Sequence, residues 1–410
     1  MRYHDRVTLR IFRVVVFIFL TALIVVPARG QDAEMPQHPH AAEPPASAWT
    51  WTTDANVFFG YNYQHREFRD FSVWESQNWF MLAAKRALAG GTVSLEGMLS
   101  LEPFTLKAIG SPQVFQTGEA YKTGPLIDYQ HPHDLVMELG ATYRIERRGV
   151  AYLFGAALVG PPALGPTPFM HRESARDNPQ APLLHHYTDS THITAGVLTA
   201  GIERGGLTFE GSWFRGAEPD EHRLEIDRPR LDSWSARASW RRGPWQAQFS
   251  GAQLHRPEPF ELFNMSRMTA SIEFDGTINS HPLAASLIWG QNREIHGILD
   301  GYLLEWDVPT KRRGAFYGRA EAVAKALHDL GGPDPLGFVE FHRISHVAAL
   351  TLGYVQDLAE RPWGRIGVGG DATVYHVPPN MLEYYGAPHS YHVFVRYRPT
   401  RSASPAHIHH

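Results

Sequence analysis

Residues 135–146, with the sequence LVMELGATYRIE, alternate between apolar and polar side chains. Leucine, methionine, alanine, tyrosine and isoleucine occupy the odd positions, and mostly glutamate, glycine, threonine and arginine occupy the even ones. A period of two places these sets on opposite faces of a β-strand. The same alternation recurs in segments of about ten residues from position 49 onward, for example in 93–102, 233–241 and 302–308. The sequence therefore predicts an all-β protein.

The two faces of these strands distinguish a transmembrane barrel from a soluble β-sandwich, which also alternates with a period of two. The polar face carries charges in mid-strand, and the apolar face carries tryptophans close to the strand ends. Outward apolar residues, an inward polar set and aromatic girdles are typical of a transmembrane β-barrel. Near predicted short turns lie Trp240, Trp245, Trp306 and Trp363, and nearer to long connections lie Trp213, Trp234 and Trp289.

The alternation predicts a closed antiparallel barrel of about 16 strands, within a range of roughly 14–18. Closure is expected because an open sheet edge in lipid would leave backbone groups unpaired. The strands are placed near 50–65, 73–87, 92–105, 133–147, 150–160, 192–204, 207–216, 232–242, 245–255, 267–277, 282–293, 300–309, 315–326, 345–357, 363–376 and 390–399.

The connections between these strands alternate in length. Tight glycine-containing turns fall at 89–91, 147–149, 204–206, 242–244 and 312–314, whereas long connections fall at 106–132, 161–191, 217–231, 327–344 and 377–389. Short periplasmic turns and long extracellular loops are characteristic of outer-membrane barrels. An even strand number then leaves both termini in the periplasm.

The N-terminus resembles a cleavable export signal. Four arginines in 2–13 precede an apolar stretch at 14–26, and small residues near Gly30 suit a signal peptidase. The alternative is a membrane anchor, but this stretch would span roughly 20 Å as a helix, less than the roughly 30 Å hydrocarbon core. We expect a signal peptide at 1–30, a disordered periplasmic lead-in at 31–48, the transmembrane barrel at 49–400 and a histidine-containing C-terminal tail at 401–410.

Composition excludes several classes of site and partner. The chain has 410 residues and no cysteine, which removes disulfides, thiolate metal sites and cysteine nucleophiles. A formal net charge of -4 argues against nucleic-acid binding. Asp189, Ser190 and His192 have the residue types of a catalytic triad, but neighbours in one segment rarely reach triad geometry. We therefore expect no enzymatic activity.

The signal, the alternating strands and the sorted loops together resemble the bacterial outer-membrane β-barrel class, porin-like in size. The segments QHPHDLVMELGATY (130–143) and HHYTDSTHITAGV (185–197) are similar to uncharacterised barrel-like bacterial proteins. The resemblance implies an outer-membrane location, lipid contact and recognition by the barrel-assembly machinery. Such barrels usually end in an aromatic residue, whereas here a tail follows the last strand. Recognition would then use Phe394 or Tyr397.

The inward face predicts a charged lumen. These charges either set a field for small polar solutes or ions, or pair with each other across strands. The Pro-rich loop 161–191 either folds inward as a constriction or packs across the mouth. The predicted pore-lining residues are Glu96, Glu138, Arg144, Glu210, Arg237, Glu273, Asp275, Glu305, Asp307, Arg319, Glu321 and Arg396.

Most histidines of the barrel region fall in predicted long loops or at their strand ends. Imidazole and carboxylate groups are ligands that suit zinc or copper. In an extended segment, residues i and i+2 point the same way, so His131 and His133 could bind one ion together. The alternative is that they are polar groups at a wet rim. The candidate metal ligands are His131, His133, Asp134, His185, His186, Asp189 and His192.

Three functions remain open on this basis. The first is porin-like passage of small polar solutes or ions. The second is a histidine-rich barrel that binds zinc or copper for metal uptake or resistance. The third is a plugged structural or lipid-modifying barrel.

Overall fold

A computed structural model describes residues 48–400 except 123, 259–262 and 331–343. The predicted signal peptide at 1–30, all but one residue of the lead-in at 31–48 and the tail at 401–410 lie outside the described residues.

The described chain consists mainly of β-strands joined by turns and loops. In order they are β1 (Thr50–Arg66), β2 (Arg69–Glu75), β3 (Asn78–Leu88), β4 (Gly91–Leu99), α1 (Glu102–Thr105), β5 (Ser111–Pro112), β6 (Glu119–Tyr121), β7 (Gly124–Leu126), β8 (Tyr129–Gln130), β9 (Val136–Arg147), β10 (Val150–Gly160), α2 (His185–Thr188), β11 (Thr194–Arg204), β12 (Leu207–Phe214), β13 (Ser233–Arg242), β14 (Trp245–Leu254), β15 (Met265–Ile278), β16 (His281–Glu294), β17 (Gly297–Pro309), β18 (Gly314–Ala326), β19 (Ile344–Arg361), β20 (Gly364–His376), α3 (Leu382–Tyr385) and β21 (His389–Arg398). Short 3-10 turns lie at Phe169–His171, Ser190–His192, His328–Leu330 and Pro379–Met381.

The large sheet closes on itself. Each barrel strand pairs antiparallel with the next, and β21 pairs back onto β1 from Val57↔Tyr397 to His65↔His389. Strands β2 and β3 both pair with β1 and form one wall strand interrupted near Ser76. Counted in this way, the barrel has 16 strands, which confirms the predicted fold.

One rim of the barrel is made of tight turns, and the other carries mostly longer loops, with short turns at 67–68 and 295–296. At the turn between β11 and β12, Gly205 and Gly206 have φ angles of 60° and 83°, a conformation that glycine adopts without cost. A Cβ on Gly206 would also lie 2.4 Å from the Arg241 carbonyl oxygen. Both ends of the barrel, Thr50 and Arg398, lie on the rim of tight turns. The predicted sorting of loop lengths is confirmed.

The outer face of the wall is apolar. Trp213 and Trp234 are directly paired across β12 and β13, with 62% and 53% of their surface exposed. Among the described residues, no helix is long and apolar enough to cross a membrane. The fold and its outer surface support an outer-membrane location. Other exposed apolar side chains on the wall include Phe59, Leu82, Leu95, Phe154, Leu198, Phe209, Phe249, Ile272, Phe316, Leu352, Val374 and Val393.

Three details differ from the predicted strands. The strand placed at 92–105 ends at Leu99, because Pro103 and its neighbours form α1. The strand placed at 73–87 begins at Arg69, directly after a turn in which Phe68 has a φ of 63°. Met137 was assigned to the outer face but is fully buried, because the β4–β9 register shifts between Met98 and Leu99.

Candidate functional site

The connection between β10 and β11, residues 161–193 and called the inner loop below, lies inside the barrel. The backbone N–H of Ala163 donates to Ser212 Oγ at 2.8 Å, and that of Gly165 donates to Ser250 Oγ at 2.9 Å. Both serines are buried on the side of the wall opposite the exposed apolar residues. The loop therefore folds inward and does not merely cover the mouth.

A buried ion-pair network fastens the inner loop to β17. Arg172 Nε lies 2.6 Å from Glu305 Oε1, and Arg172 Nη1 lies 2.9 Å from Asp189 Oδ2. Arg319 of β18 approaches the other oxygen of Glu305 at 3.1 Å. Each of these four side chains is at most 3% exposed. Such a network holds the loop firmly because loss of one partner leaves a charge buried without its counterion.

The deep end of the inner loop reaches β21 and β1. Asp177 forms ion pairs with Arg396 and Arg398, the latter at 2.8 Å. The Arg176 carbonyl accepts a hydrogen bond from Asn56 Nδ2 at 3.0 Å. Burial favours protonation of Asp177, but Arg398 and Arg396 outweigh burial and hold the pKa of its carboxyl below the usual value. Asp177 therefore remains an anion at neutral pH.

The returning half of the inner loop lies along β15 to β18. The Tyr187 hydroxyl donates to the Ala324 carbonyl at 2.6 Å, and Arg267 Nη1 donates to Ser190 Oγ at 2.9 Å. Gly290 permits this approach, because a Cβ there would lie 2.5 Å from the Tyr187 carbonyl oxygen. The loop thus contacts much of the inner wall.

A second connection, residues 100–135 and called the cap loop below, contacts the inner loop. Gln113 Nε2 donates to the Ala181 carbonyl at 2.7 Å. The ring centres of Phe115 and Tyr385 are 4.4 Å apart. These loops and the facing wall share an apolar cluster, which includes Val114, Phe115, Leu183, Leu184, Tyr187, Ile288, Leu303, Val323, Val347, Met381 and Tyr385. The lumen is therefore partly filled by protein.

A cavity of about 220 Å³ remains between the inner loop and the opposite wall. The wall contributes Glu96, Glu138, Glu210 and Arg237 to its lining, and the inner loop contributes Asp189 and His192 among other residues. Glu210 and Arg237 face each other across β12 and β13 and form an ion pair at 3.0 Å. The lining therefore carries more carboxylates than cationic groups.

The twelve predicted pore-lining residues fall into three groups. Four line the 220 Å³ cavity, namely Glu96, Glu138, Glu210 and Arg237. Six lie where the inner loop meets the wall, namely Glu273, Glu305, Asp307, Arg319, Glu321 and Arg396. Arg144 and Asp275 lie nearer to the rim of tight turns, where Arg144 pairs with Glu203 at 3.1 Å. Glu210 pairs with Arg237, and Glu305 pairs with Arg319, across neighbouring strands. These pairs match the alternative in which the inward charges pair with each other across strands.

Most of the predicted metal ligands lie together inside the barrel. The ring centre of His192 lies 5.5 Å from that of His133 and 5.4 Å from that of His185. The ring centres of His186 and His185 are 5.2 Å apart, and those of His131 and His186 are 6.5 Å apart. The structure thus unites two histidine segments that are distant in sequence. We call these five residues the histidine cluster.

The Nδ1 atoms of three cluster members face oxygen atoms. His133 Nδ1 lies 2.8 Å from Glu102 Oε2, and His185 Nδ1 lies 2.9 Å from Asp189 Oδ1. His192 Nδ1 lies 2.6 Å from the Asp189 carbonyl oxygen, to which it donates. Burial, and then His185 and His133, hold the pKa of His192 well below its usual value. His192 is therefore a neutral imidazole.

Asp134 and the triad-like residues have other partners. Asp134 pairs with Arg223 at 3.1 Å, and burial raises the pKa of its carboxyl to about 6 although Arg223 opposes the shift. Ser190 accepts a hydrogen bond from Arg267, and His192 Nδ1 bonds to the backbone of Asp189, not to its carboxylate. These three residues therefore do not form a Ser-His-Asp hydrogen-bond relay.

Several site residues were not predicted from the sequence. Arg172 and Asp177 anchor the inner loop, Arg267 contacts its returning half, and Glu102 orients His133. The segment HRESARDNP, in a loop otherwise rich in proline and apolar residues, carried the signal for the first two. Opposite charges in a long loop and on an inward wall face are expected to meet.

No protein-family model matches the chain, and no curated protein sequence matches it. The barrel is similar in structure to an anion-selective porin from Comamonas acidovorans, with a TM-score of 0.50, 12% identity and coverage of 86% of this chain and 100% of that chain. It is also similar to Salmonella typhi OmpF in a complex with daunomycin, with a TM-score of 0.50, 11% identity and coverage of 84% and 97%.

A third similar structure is OprB from Pseudomonas putida, with a TM-score of 0.50, 11% identity and coverage of 86% of this chain and 94% of that chain. At these identities the similarity shows that the chain has the porin barrel fold. The lumen residues of this chain must carry any further argument about function, because a fold does not fix a function.

Proposed function

We propose that this protein is a porin-like barrel of the bacterial outer membrane through which small polar solutes or ions pass. The observation that carries the proposal is the cavity of about 220 Å³ between the inner loop and the wall of a closed barrel, whose otherwise largely apolar lining includes four carboxylates. Barrels of this strand number enclose an aqueous channel unless they are plugged. The similarity in fold to an anion-selective porin, to OmpF and to OprB supports a barrel architecture that suits such passage.

The charges around the cavity favour cations. Four carboxylates line the cavity: Glu96, Glu138 and Glu210 on the wall, and Asp189 on the inner loop. Arg237 is the arginine among the lining residues. Carboxylates that surround a narrow passage raise the local concentration of cations and repel anions. We therefore propose cation preference, although one structural neighbour is described as anion-selective.

The inner loop acts as the constriction. It occupies much of the lumen and is held by ion pairs at Arg172 and Asp177. Solutes then pass along the wall that the loop leaves uncovered. A small passage predicts low conductance and exclusion of bulky solutes.

Delivery to the membrane follows from the sequence. The segment 1–30 serves as a cleaved export signal, and the barrel-assembly machinery inserts the barrel among outer-membrane lipids. Of the two aromatic residues considered for recognition, Tyr397 suits the role better. It belongs to the outward set of β21, whereas Phe394 is buried against Phe58 with ring centres 5.2 Å apart.

Planar-bilayer recordings of the purified protein test the proposal. We expect discrete steps of low conductance and, in a salt gradient, a reversal potential of the sign for cation preference. A mock preparation from cells without the gene controls for contaminating porins. Absence of steps from the wild-type protein would remove porin-like passage and leave a plugged barrel. Steps with anion preference would overturn the charge argument alone.

A further inference from the structure

We propose that His133, His185 and His192 form a binding site for one first-row transition-metal ion, Zn²⁺ or Cu²⁺, inside the barrel. The proposal selects three ligands from the larger set that the sequence predicted, and it assigns their orientation to Glu102 and Asp189. It does not depend on the barrel conducting solutes.

Three separate elements bring the ligands together. His133 lies just before β9, His185 is the first residue of α2, and His192 ends the 3-10 turn that follows. Their side chains are at most 7% exposed for His133 and 3% for His185, and His192 is buried. Such burial suits a neutral imidazole, the form that binds metal.

The hydrogen bonds of the three rings match the pattern of metal-binding histidines. A histidine that binds a metal through one nitrogen usually donates the other N–H to a carboxylate or a backbone carbonyl. Here Nδ1 of His133 faces the Glu102 carboxylate, Nδ1 of His185 faces the Asp189 carboxylate, and Nδ1 of His192 donates to a carbonyl. This arrangement assigns Nε2 of each ring as the metal-binding atom.

His192 supplies an independent observation. Its Nε2 atom is buried, and among the described residues it has no hydrogen-bond partner. Because Nδ1 is the donor, Nε2 carries a lone pair, and a buried lone pair without a partner costs free energy. A metal ion at this atom would remove that cost.

The ring spacing is close to that of a metal site. With metal–nitrogen bonds of about 2.0–2.1 Å, two imidazoles in tetrahedral coordination have ring centres roughly 5 Å apart. The observed separations from His192 are 5.5 Å and 5.4 Å. Binding of one ion requires these side chains to rotate toward each other, since the ligand atoms of the three rings do not all lie close together in the observed arrangement.

The surroundings provide charge and access for a cation. Glu102 and Asp189 supply carboxylates next to the rings, and His186 pairs with Glu218 at 3.3 Å. His192 and Asp189 line the 220 Å³ cavity, and His133 lines a second cavity of about 40 Å³. An ion can therefore approach from the lumen and keep a water molecule as its fourth ligand.

Asp220, Glu221 and His222 are the competing group. Among the described residues they alone have ligand atoms that all lie within 4.8 Å of one another, but they are exposed sequence neighbours. His222 Nδ1 faces the Asp220 carboxylate at 3.0 Å, but in the described part of the chain none of the three residues has a buried polar atom without a hydrogen-bond partner. This group provides the control for metal binding at a solvent-exposed loop.

Isothermal titration of the detergent-purified, chelator-treated full chain with Zn²⁺, and separately with Cu²⁺, tests the proposal. We expect one tight site in the wild type. His192→Ala removes a ligand and should weaken binding by more than about 100-fold, whereas Glu102→Gln, which changes an orienting group, should weaken it by about 10- to 100-fold. His222→Ala should bind as the wild type does.

Two further controls keep the result decisive. Heat-modifiable mobility on SDS gels shows whether each variant is folded, and His192→Gln replaces His192→Ala if the alanine variant is not. A variant with His407, His409 and His410 changed to alanine measures binding by the tail. Equal affinity in the wild type and the His192 variant would overturn the proposal, as would binding that disappears only in the His222 or tail variant.

Discussion

Arg172 Nε lies 2.6 Å from Glu305 Oε1, and this contact joins two residues 133 positions apart in sequence. Arg172 belongs to the inner loop and Glu305 to β17 of the wall. Both side chains are at most 1% exposed. The position of the inner loop within the lumen therefore depends strongly on buried charge pairs, and these can be tested one at a time.

Arg172→Met should release this part of the inner loop. Because Glu305 and Asp189 stay buried without their shared cation, we expect a stability loss of about 3–5 kcal/mol and a larger single-channel conductance. Urea unfolding in lipid vesicles and bilayer recordings measure the two effects. Arg144→Met, at a partly exposed ion pair near the rim of tight turns, is the matched control and should change neither measurably. Unchanged conductance in a folded Arg172→Met variant would contradict the constriction role of the loop.

Gly290→Ala should displace the returning half of the inner loop. The added Cβ would lie 2.5 Å from the Tyr187 carbonyl oxygen, which is backbone and cannot rotate away. We expect a cost of about 1–3 kcal/mol and a change in conductance. Gly251→Ala in β14 is the control, because there the nearest atom is 3.7 Å from the added Cβ. Equal behaviour of the two variants would show that the loop does not press on β16 at this glycine.

Replacing two wall carboxylates should change ion selectivity. Glu96 and Glu138 lie diagonally across the neighbouring strands β4 and β9 on the cavity wall, and their joint change to glutamine removes two negative charges without much change in volume. We expect the cation preference measured by reversal potential to fall or reverse, and the effect to weaken at high salt. Asp275→Asn, which lies outside that lining, should leave the reversal potential as it is in the wild type. A shift of equal size in both would refute the assigned path.

Asp134 should make stability depend on pH between about 4 and 6. Burial raises the pKa of its native carboxyl to about 6, so the native state binds a proton more tightly than the unfolded chain does. Stability from this group is therefore present at low pH and is lost as pH rises through 6, by up to about 3 kcal/mol. Urea unfolding at pH 4, 5, 6 and 7 should show this slope in the wild type and not in Asp134→Asn. Parallel profiles for the two proteins would contradict the assignment.

The wall was largely predictable from the sequence because its alternation is local. The strand expected at 232–242 is observed at Ser233–Arg242, and the one expected at 207–216 at Leu207–Phe214. Errors arose where a proline, a register shift or the turn at Phe68 interrupted the period. Met137 was misplaced for this reason, since nothing in its own segment signals the shift between β4 and β9.

For the interior, the sequence predicted candidate residues but not the contacts between them. The sequence identified His133, His185 and His192 as candidates, but their meeting depends on the path of the inner loop through the lumen. It also suggested that His131 and His133 act together, whereas the ring contacts place His131 near His186 and His133 near His192. Contacts between a loop and a distant wall have no periodic signature in the sequence.

The deep end of the inner loop has a consequence for how the barrel is completed. Asp177 forms an ion pair with Arg396 of β21, and the adjacent carbonyl of Arg176 accepts a hydrogen bond from Asn56 of β1. These two strands pair with each other to close the barrel. From inside the lumen, the loop thus links the two strands at which the barrel closes. A chain whose inner loop has not entered the lumen lacks these contacts, so packing of the loop contributes to the strand pairing that closes the barrel.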